Sequence, residues 1–305
     1  MGNTIVILTP LIHGLVKLAG LTPQTIEIEP GTLMNIWVPK ETVTNNDQNI
    51  YLPPTKPAVL LLHSFAMDGI FTWFLQVLAL TREYSVYVPD FLFFGGSITN
   101  RNERSARFQA EFVAKGLGKL KVEKVTLVGL SYGGMVGFKM AMLYPKLVRS
   151  MVMSGTVIEM TGSISRESYK RLGLTRWSDL LMPTTIEGLK RMFSIGFHKA
   201  PWLPDFVYRD LLETMFSNRK ERNQLLDDLV VADKDATSYT YSQDIHMVWG
   251  DDDKIFNLDL AMTMKTQLGD ETTKDAGHLV PLEQPFKYNK RLKCILERVT
   301  KYHGQ

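Results

Sequence analysis

Ser131 lies in the stretch Gly129-Leu130-Ser131-Tyr132-Gly133-Gly134, which follows the run Val125-Thr126-Leu127-Val128 and precedes an apolar-rich run from Met135 to Tyr144 that ends at Pro145. Strand, tight turn and helix in that order are the setting in which a serine is presented as a nucleophile. Glycines flanking the apex let strand and helix approach closely around a strained residue. A Gly-x-Ser-x-Gly string alone also fits a plain glycine-rich turn, and the flanking strand and helix favour the chemical reading.

Such a serine needs a base within hydrogen-bond reach and a third group to orient that base. Five of the six histidines have structural readings: His13 in the first helix, His63 at a strand end, His198 in a helical segment, His246 inside a strand and His303 in the tail. His278, in Ala276-Gly277-His278, stands in a short loop before the final helix, where an imidazole can sit over a sheet edge. Asp251, Asp252 and Asp253 follow Gly250 at the end of the apolar run Ile245 to Trp249. In open α/β sheets the carboxyl end of a strand is where catalytic groups gather; otherwise three adjacent aspartates are a solvated turn with weak cation affinity. Spacing from Gly250 selects Asp253 as the acid, and Ser, Asp, His in that chain order is a known triad order.

To bring these residues together the chain must build a sheet. Ile26 and Ile28 alternate with Glu27 and Glu29, Pro30-Gly31 turns, and Leu33 to Val38 is again extended, which predicts a hairpin. Asn45 to Lys56 reads as a surface loop, and Ala58 to Leu62 is a continuous apolar run typical of a strand buried on both faces. A helix over Gly69 to Leu80, a strand over Tyr84 to Val88, a helix over Ser105 to Leu120 and a strand over Val148 to Ser154 complete an alternation. It predicts an α/β fold with a mostly parallel central sheet flanked by helices. From Thr156 to Gln243 the pattern is helical, around Ser165 to Leu172, Thr185 to His198, Asp205 to Ser217 and Arg219 to Val231, with no strand between, as in an inserted helical cap. A helix over Leu258 to Leu268 and a long amphipathic helix over Leu282 to Tyr302 follow, while Gly269 to Asp275 offers no apolar strand to carry His278. The expected organisation is an N-terminal amphipathic helix (1–24), a core (25–155 and 244–305) and a cap (156–243).

A chain of 305 residues can bury a large core, and one domain with an insertion is favoured. The net charge of +3 is spread along the chain, so no nucleic-acid footprint is indicated and a small-molecule partner is expected, with no metal or organic cofactor required. The single cysteine, Cys294, excludes an intramolecular disulfide, fits a reducing compartment, and reads as a buried packing residue. No signal-peptide pattern begins the chain and Val6 stands where a myristoylation motif wants Ser or Thr, so a cytoplasmic, monomeric or weakly dimeric protein is expected. Thr9-Pro10 reads as a helix start and Gly20 as its stop. Pro10, His13, Gly14 and Lys17 interrupt the apolar run well short of the roughly 18 residues that span a bilayer. Packing against the protein body is the plainer use of this helix, and peripheral membrane contact is the alternative.

Ser131 in its turn, Trp249-Gly250-Asp251-Asp252-Asp253, and Gly277-His278 followed by Glu283-Gln284-Pro285 resemble the α/β-hydrolase superfamily, from about residue 25 onward. More narrowly, Glu29-Pro30-Gly31, Val38-Pro39-Lys40, Pro89-Asp90 to Gly95-Gly96-Ser97 and Gly133-Gly134-Met135 resemble a plant group of lipase-like α/β hydrolases related to monoacylglycerol lipases. The resemblance implies Ser131 as nucleophile, Asp253 as acid, His278 as base, and Asp90 as part of a structural turn. Where the family usually has His-Gly, this chain has His63-Ser64-Phe65. The resemblance then implies oxyanion hydrogen bonds from the amides of Phe65 and Tyr132, with Ser64 narrowing the site. Relatives such as epoxide hydrolases carry aspartate at the place of Ser131 and are disfavoured.

The expected activity is cleavage of a carboxylic ester of an apolar, moderate-sized substrate through an acyl-enzyme. Aromatic and methionine side chains gather in two places: Phe65, Met67, Trp73, Phe91, Phe93 and Phe94 toward the sheet's carboxyl end, Met160, Met192, Phe193, Phe197, Trp202 and Phe206 in or beside the cap. Ser64, Met67, Phe94, Met160, Phe193, Phe197, Trp202 and Phe206 are the candidate substrate contacts. Two further readings stay open: a slow-turnover ligand receptor, and a specialised-metabolism hydrolase in which decarboxylation or acyl transfer follows ester cleavage.

Overall fold

The computed structural model describes residues 3–44, 50–236, 240–265, 269–273 and 275–303. Residues 45–49 of the expected surface loop and 266–268 at the end of the expected helix lie outside the described residues. The chain opens with α1 (Thr4–Leu18), then the hairpin β1 (Leu21–Glu29) and β2 (Thr32–Pro39), β3 (Ala58–Leu62), α2 (Gly69–Leu80), β4 (Ser85–Pro89) and the short β5 (Ile98–Thr99). Next come α3 (Ala106–Lys119), β6 (Val125–Leu130), α4 (Tyr132–Leu143) and β7 (Val148–Ser154). The stretch that follows holds β8 (Met160–Thr161), α5 (Gly162–Leu172), α6 (Ser178–Leu181), α7 (Ile186–Gly196), α8 (Asp205–Met215), α9 (Arg219–Leu229) and β9 (Val230–Val231). The chain then returns to the sheet with β10 (Asp244–Gly250), α10 (Leu258–Lys265), β11 (Gly269–Thr273), α11 (Val280–Glu283) and α12 (Pro285–His303).

The large sheet runs β1-β2-β4-β3-β6-β7-β10-β11, with β5 paired to β2. The pairs from β4 to β11 are parallel, and only the β1–β2–β4 side and β5 are antiparallel. Alternate residues of β3 serve opposite faces, as a pleated strand requires. Leu60 and Leu62 pack with Val113 and Leu117 of α3 and Val136 of α4, whereas Val59 and Leu61 pack with Trp73 and Val77 of α2 and Tyr288 and Leu292 of α12. Helices therefore cover both faces, and this is the physical reason that the central strands read as unbroken apolar runs.

Several expectations need correction. The first helix starts at Thr4, not Thr9: Asn3 Oδ1 accepts the amides of Ile5 and Val6, leaving Pro10 inside the helix. A polar sequence does form a strand before His278, because β11 is the sheet edge and is held by parallel backbone pairing to β10. The helical stretch after β7 also contains strands, the two-residue pair β8 and β9. Cys294 is exposed, since the inward stripe of α12 is Tyr288, Leu292, Ile295, Leu296 and Val299 and residue 294 falls off it.

Asp90, just past β4, knots three segments on the β2 side of the sheet. Its Oδ2 accepts from Asn35 Nδ2 of β2 at 2.6 Å and its Oδ1 from the first amide of α2, Gly69 N, at 2.8 Å. Burial, and then the neighbouring Asp68, push its carboxyl up to about 7. The folded chain thus holds a proton here that the unfolded chain releases above its ordinary value of 3.8, so the contribution is full below about pH 4 and is lost as pH rises through about 7. Urea unfolding between about pH 4 and 7 should show stability falling as pH rises, with a shallower slope in Asp90→Asn. Equal slopes would mean that Asp90 is ionised in the fold.

Candidate active site

Ser131 joins β6 to α4 with φ 55° and ψ −119°, a backbone state a non-glycine residue adopts only when its surroundings impose it. Hydrogen bonds on both sides of the residue impose it here. Ser131 N donates to Ser154 O of β7 at 2.9 Å, while Ser131 O accepts from Gly134 N at 2.9 Å and from Thr156 Oγ1 at 2.7 Å. Among the described residues Ser131 Oγ makes no hydrogen bond, and it faces a cavity of about 120 Å3 that His278 also lines.

His278 Nδ1 lies 2.9 Å from Asp253 Oδ2, and both side chains are buried. Asp253 follows β10, and its other oxygen accepts the amides of Ile255 and Phe256, each at 2.9 Å. A carboxylate saturated by donors in this way fixes the imidazole tautomer: Nδ1 carries the proton and Nε2 keeps a free lone pair. The other two aspartates have different partners. Asp252 Oδ2 meets His198 Nδ1 at 2.9 Å, and Asp251 Oδ1 accepts Ala276 N at 3.3 Å.

The loop after β3 carries His63, Ser64, Phe65, Ala66 and Met67. His63 is fully buried; its Nε2 accepts Phe91 N at 2.9 Å and its Nδ1 donates to Ser64 O at 2.7 Å. Desolvation lowers its pKa to about 3, so it is a neutral brace between two loops. Tyr132 opens α4, where the first amides of a helix have no intrahelical acceptor, and its ring packs edge-on against Phe65 at 5.5 Å.

Of the expected substrate contacts, Ser64, Met67, Phe193 and Phe197 line the cavity holding Ser131 and His278. Met160 lines a small adjoining pocket with Ser131 and Tyr132. Phe94 does not line the cavity of Ser131 and His278; it packs against His63 and Phe65 and borders a second cavity on the α1 side. Trp73, Phe91 and Phe93 are core residues. Trp202 and Phe206 are corrections, being 86% and 51% exposed. Trp202 sits in the connector Pro201 to Pro204, and α8 turns Tyr208 and Leu211 inward, leaving Phe206 on the opposite face.

Met192, named with the cap's methionines and aromatics, also lines this cavity, and reading by residue type missed Phe71, Leu181, Leu211, Met215, Ile255 and Leu279 in its wall. It also missed Arg222 of α9, 1% exposed, whose Nη2 donates to Phe65 O at 2.7 Å and Nη1 to Met215 O at 2.6 Å. An arginine in the stripe Arg222, Leu225, Leu226, Leu229 was the available signal. Gly155 was missed too. At φ +49°, it passes so close to the His278–Asp253 pair that a Cβ there would lie 2.8 Å from His278 Nδ1 and 3.1 Å from Asp253 Oδ2.

The alpha/beta hydrolase fold family model matches residues 57–178. The chain is 26% identical over 200 residues to a 2-hydroxy-6-oxononadienedioate/2-hydroxy-6-oxononatrienedioate hydrolase of a Pseudomonas species, covering 61% of this chain and 68% of that one. It is 29% identical over 136 residues to an uncharacterised Mycobacterium tuberculosis protein, covering 44% of this chain and spanning 40% of that protein's length. Among solved structures, a candidate lipase of Acinetobacter baumannii AYE superposes with a TM-score of 0.79 at 18% identity, over 97% of both chains. These relatives are bacterial, and the narrower likeness to a plant group draws no support from them.

Gly155→Ala should fold, at about 1–2 kcal/mol for the positive φ, yet separate the imidazole from the carboxylate. The low-field imidazole N–H proton resonance expected of the wild type should vanish in Gly155→Ala and persist in Gly173→Ala, a positive-φ site whose nearest neighbour to an added Cβ is 3.5 Å away.

Proposed function

The chain has the α/β-hydrolase fold, and from that premise we propose that it is a serine hydrolase cleaving a carboxylic ester with an apolar acyl group. The observation that carries this reading is the buried Asp253–His278 contact of 2.9 Å beside the unpartnered Ser131 Oγ, in a cavity whose wall is almost wholly apolar. Ser131 would lose its proton to His278 Nε2 and attack the carbonyl, while Asp253 stabilises the imidazolium. The amides of Phe65 and Tyr132 would hold the developing oxyanion, the latter helped by the positive end of α4. His278 then passes the proton to the departing alcohol, and water, activated by the same imidazole, releases the acid. In this reading residues 156–243 act as the cap, with α6, α7 and α8 supplying Leu181, Met192, Phe193, Phe197, Leu211 and Met215 to the acyl site.

The named Pseudomonas relative acts on a dioate, a substrate with two carboxylates. Among the described residues no Lys or Arg lines the cavity around Ser131, so a second carboxylate would find no cation there, and an apolar acyl group fits better. An apolar cavity of ~150 Å3 holds a benzene molecule, so the ~120 Å3 here suits an acyl group of about four to six carbons.

A fluorophosphonate probe should label Ser131 and spare Ser131→Ala. On p-nitrophenyl esters, kcat/KM should rise with acyl length, by up to about 0.8 kcal/mol per methylene, and fall beyond about six carbons. Labelling that survives in Ser131→Ala, or one turnover with no second, would overturn the hydrolase reading; the latter outcome favours a receptor.

Asp253→Asn should lower kcat by about 10⁴-fold, as loss of the orienting acid does in a serine triad. Asp252→Asn, which weakens contacts to His198 and Lys254 and touches neither Asp253 nor His278, should stay near wild type in the same assay. Comparable losses in both would move the acid away from Asp253.

A further inference from the structure

The outward face of α1 is apolar and uncovered. Ile7, Leu8, Leu11, Leu15 and Leu18 are all exposed, Leu11 by 61% and Leu18 by 86%. At 100° per residue they fall within an arc of about 100°, centred about 120° around the helix from the buried Ile5 and Val16 that fasten it to the body, with exposed Val6 outside the arc. The helix has no acidic residue, and its one basic residue, Lys17, lies in the last turn. Helix α8 adjoins the N-terminal end of α1. Thr4 N donates to Asp210 Oδ2 at 2.6 Å, and exposed Phe206 lies one turn before Asp210 on the same side of α8, with exposed Trp202 just ahead of it.

The geometry points to a lipid bilayer surface as the partner of this face. A 15-residue helix presents a strip about 22 Å long and 10 Å wide, roughly 220 Å2, and the two aromatic side chains bring the patch to roughly 400–500 Å2. A stable dimer needs about 800 Å2 from each partner with matched shapes, which this convex strip does not supply. A bilayer needs no matching surface: an amphipathic helix lying in the interface buries its apolar face about 5–10 Å deep, with aromatic side chains at the headgroup level. Among the described residues no helix is long and apolar enough to cross a membrane, so the contact is one of lying on the surface. The inward side of α1 gives the contact a use. Ile5, Val6, Thr9 and His13 border a cavity of about 340 Å3 whose wall shares Met67, Phe71 and Met215 with the catalytic cavity. A bilayer against α1 therefore lies on the same side of the molecule as a second cavity that adjoins the site, of mixed lining, with Asp68, Asp90 and Arg222 in its wall beside Ile5, Ile70 and Phe71. The surface argument goes beyond the ester reading and does not depend on it.

Flotation of the full chain with phosphatidylcholine vesicles tests the proposal. The wild type should float, Leu11→Glu/Leu15→Glu should partition at least tenfold less, and Trp202→Ser/Phe206→Ser should be intermediate. Turnover of a short water-soluble ester should be unchanged in both variants, since none of these residues lines the catalytic cavity. A wild type that stays with the soluble fraction overturns the proposal, and if it also forms a dimer that Leu11→Glu/Leu15→Glu abolishes, the face belongs to a second copy. Equal flotation of all three proteins removes α1 as the contact. Flotation without ester turnover would sink the ester reading and leave this one standing.

Discussion

The site depends on how closely α4 approaches the strands beneath it. A Cβ at residue 133 would lie 2.2 Å from Leu62 O, so helix and strand can touch there only through glycine. That approach sharpens the turn at Ser131 and drives its backbone to φ 55°, a state that costs a non-glycine residue about 1–2 kcal/mol. The hydrogen bonds from Gly134 N and Thr156 Oγ1 to Ser131 O, and from Ser131 N to Ser154 O, hold the strained unit on both sides. Because the turn is bound to β7 as well as to α4, Ser131 is placed by the rigid centre of the sheet. A side chain on such a base can be held within a fraction of an ångström, which loops alone seldom achieve.

The Asp253–His278 pair rests on a weaker foundation and is secured differently. Both residues follow strands at one end of the sheet, β10 and β11, and β11 is an edge. Precision comes from local saturation. Two amides fill one oxygen of Asp253, Gly277 N donates to Glu283 Oε2 at 2.6 Å, and His198 N donates to the other oxygen of Glu283 at 2.8 Å. Glu283 thus clamps the loop before His278 to the end of α7. A buried carboxylate with unfilled lone pairs would be costly, whereas one filled by amides and an imidazole holds a single orientation.

Sequence reading succeeded where composition and geometry have one cause. A strand buried on both faces favours an apolar run, so Ala58–Leu62 declared itself, and Val148–Ser154 did so through Met151-Val152-Met153 despite Arg149 and Ser150; Ser105 announced the start of α3 because its hydroxyl accepts Phe108 N. It failed where one composition serves several environments. Trp202, Phe193 and Phe91 are equally aromatic, yet one is exposed, one lines the cavity and one is core, a distinction set by tertiary packing. Strand β11 escaped notice because backbone pairing to a neighbour leaves no hydrophobic signature at an edge. Gly155 could not be found either: its requirement comes from His278 and Asp253, both roughly a hundred residues away in the chain.

Arg222 shows how the helical stretch between β7 and β10 is joined to the chemistry. Its guanidinium lies 4.2 Å from the centre of the Phe94 ring and 5.3 Å from that of Phe65, and is bonded to the carbonyls of Phe65 and Met215. Burial pulls its pKa down to about 9, which still leaves it charged at neutral pH. Arginine suits this place because a flat, weakly hydrated cation can stack on rings while donating in its own plane. Moving α9 away from the loop of Phe65 would strand that charge among aromatic rings without its acceptor, a penalty of several kcal/mol. Helix α7 is anchored at its C-terminal end, where Leu279 N donates to Gly196 O and Glu283 accepts from His198 N, whereas along its length Lys254 Nζ to Ser194 O and Lys190 Nζ to Asp205 Oδ1 are exposed contacts, and exposed ion pairs contribute about 0–1 kcal/mol each. Arg222 thus keeps the loop of Phe65 in register with Ser131, while α7, which brings Met192 and Phe193 to the same cavity, is fixed to the rest of the wall chiefly at its C-terminal end.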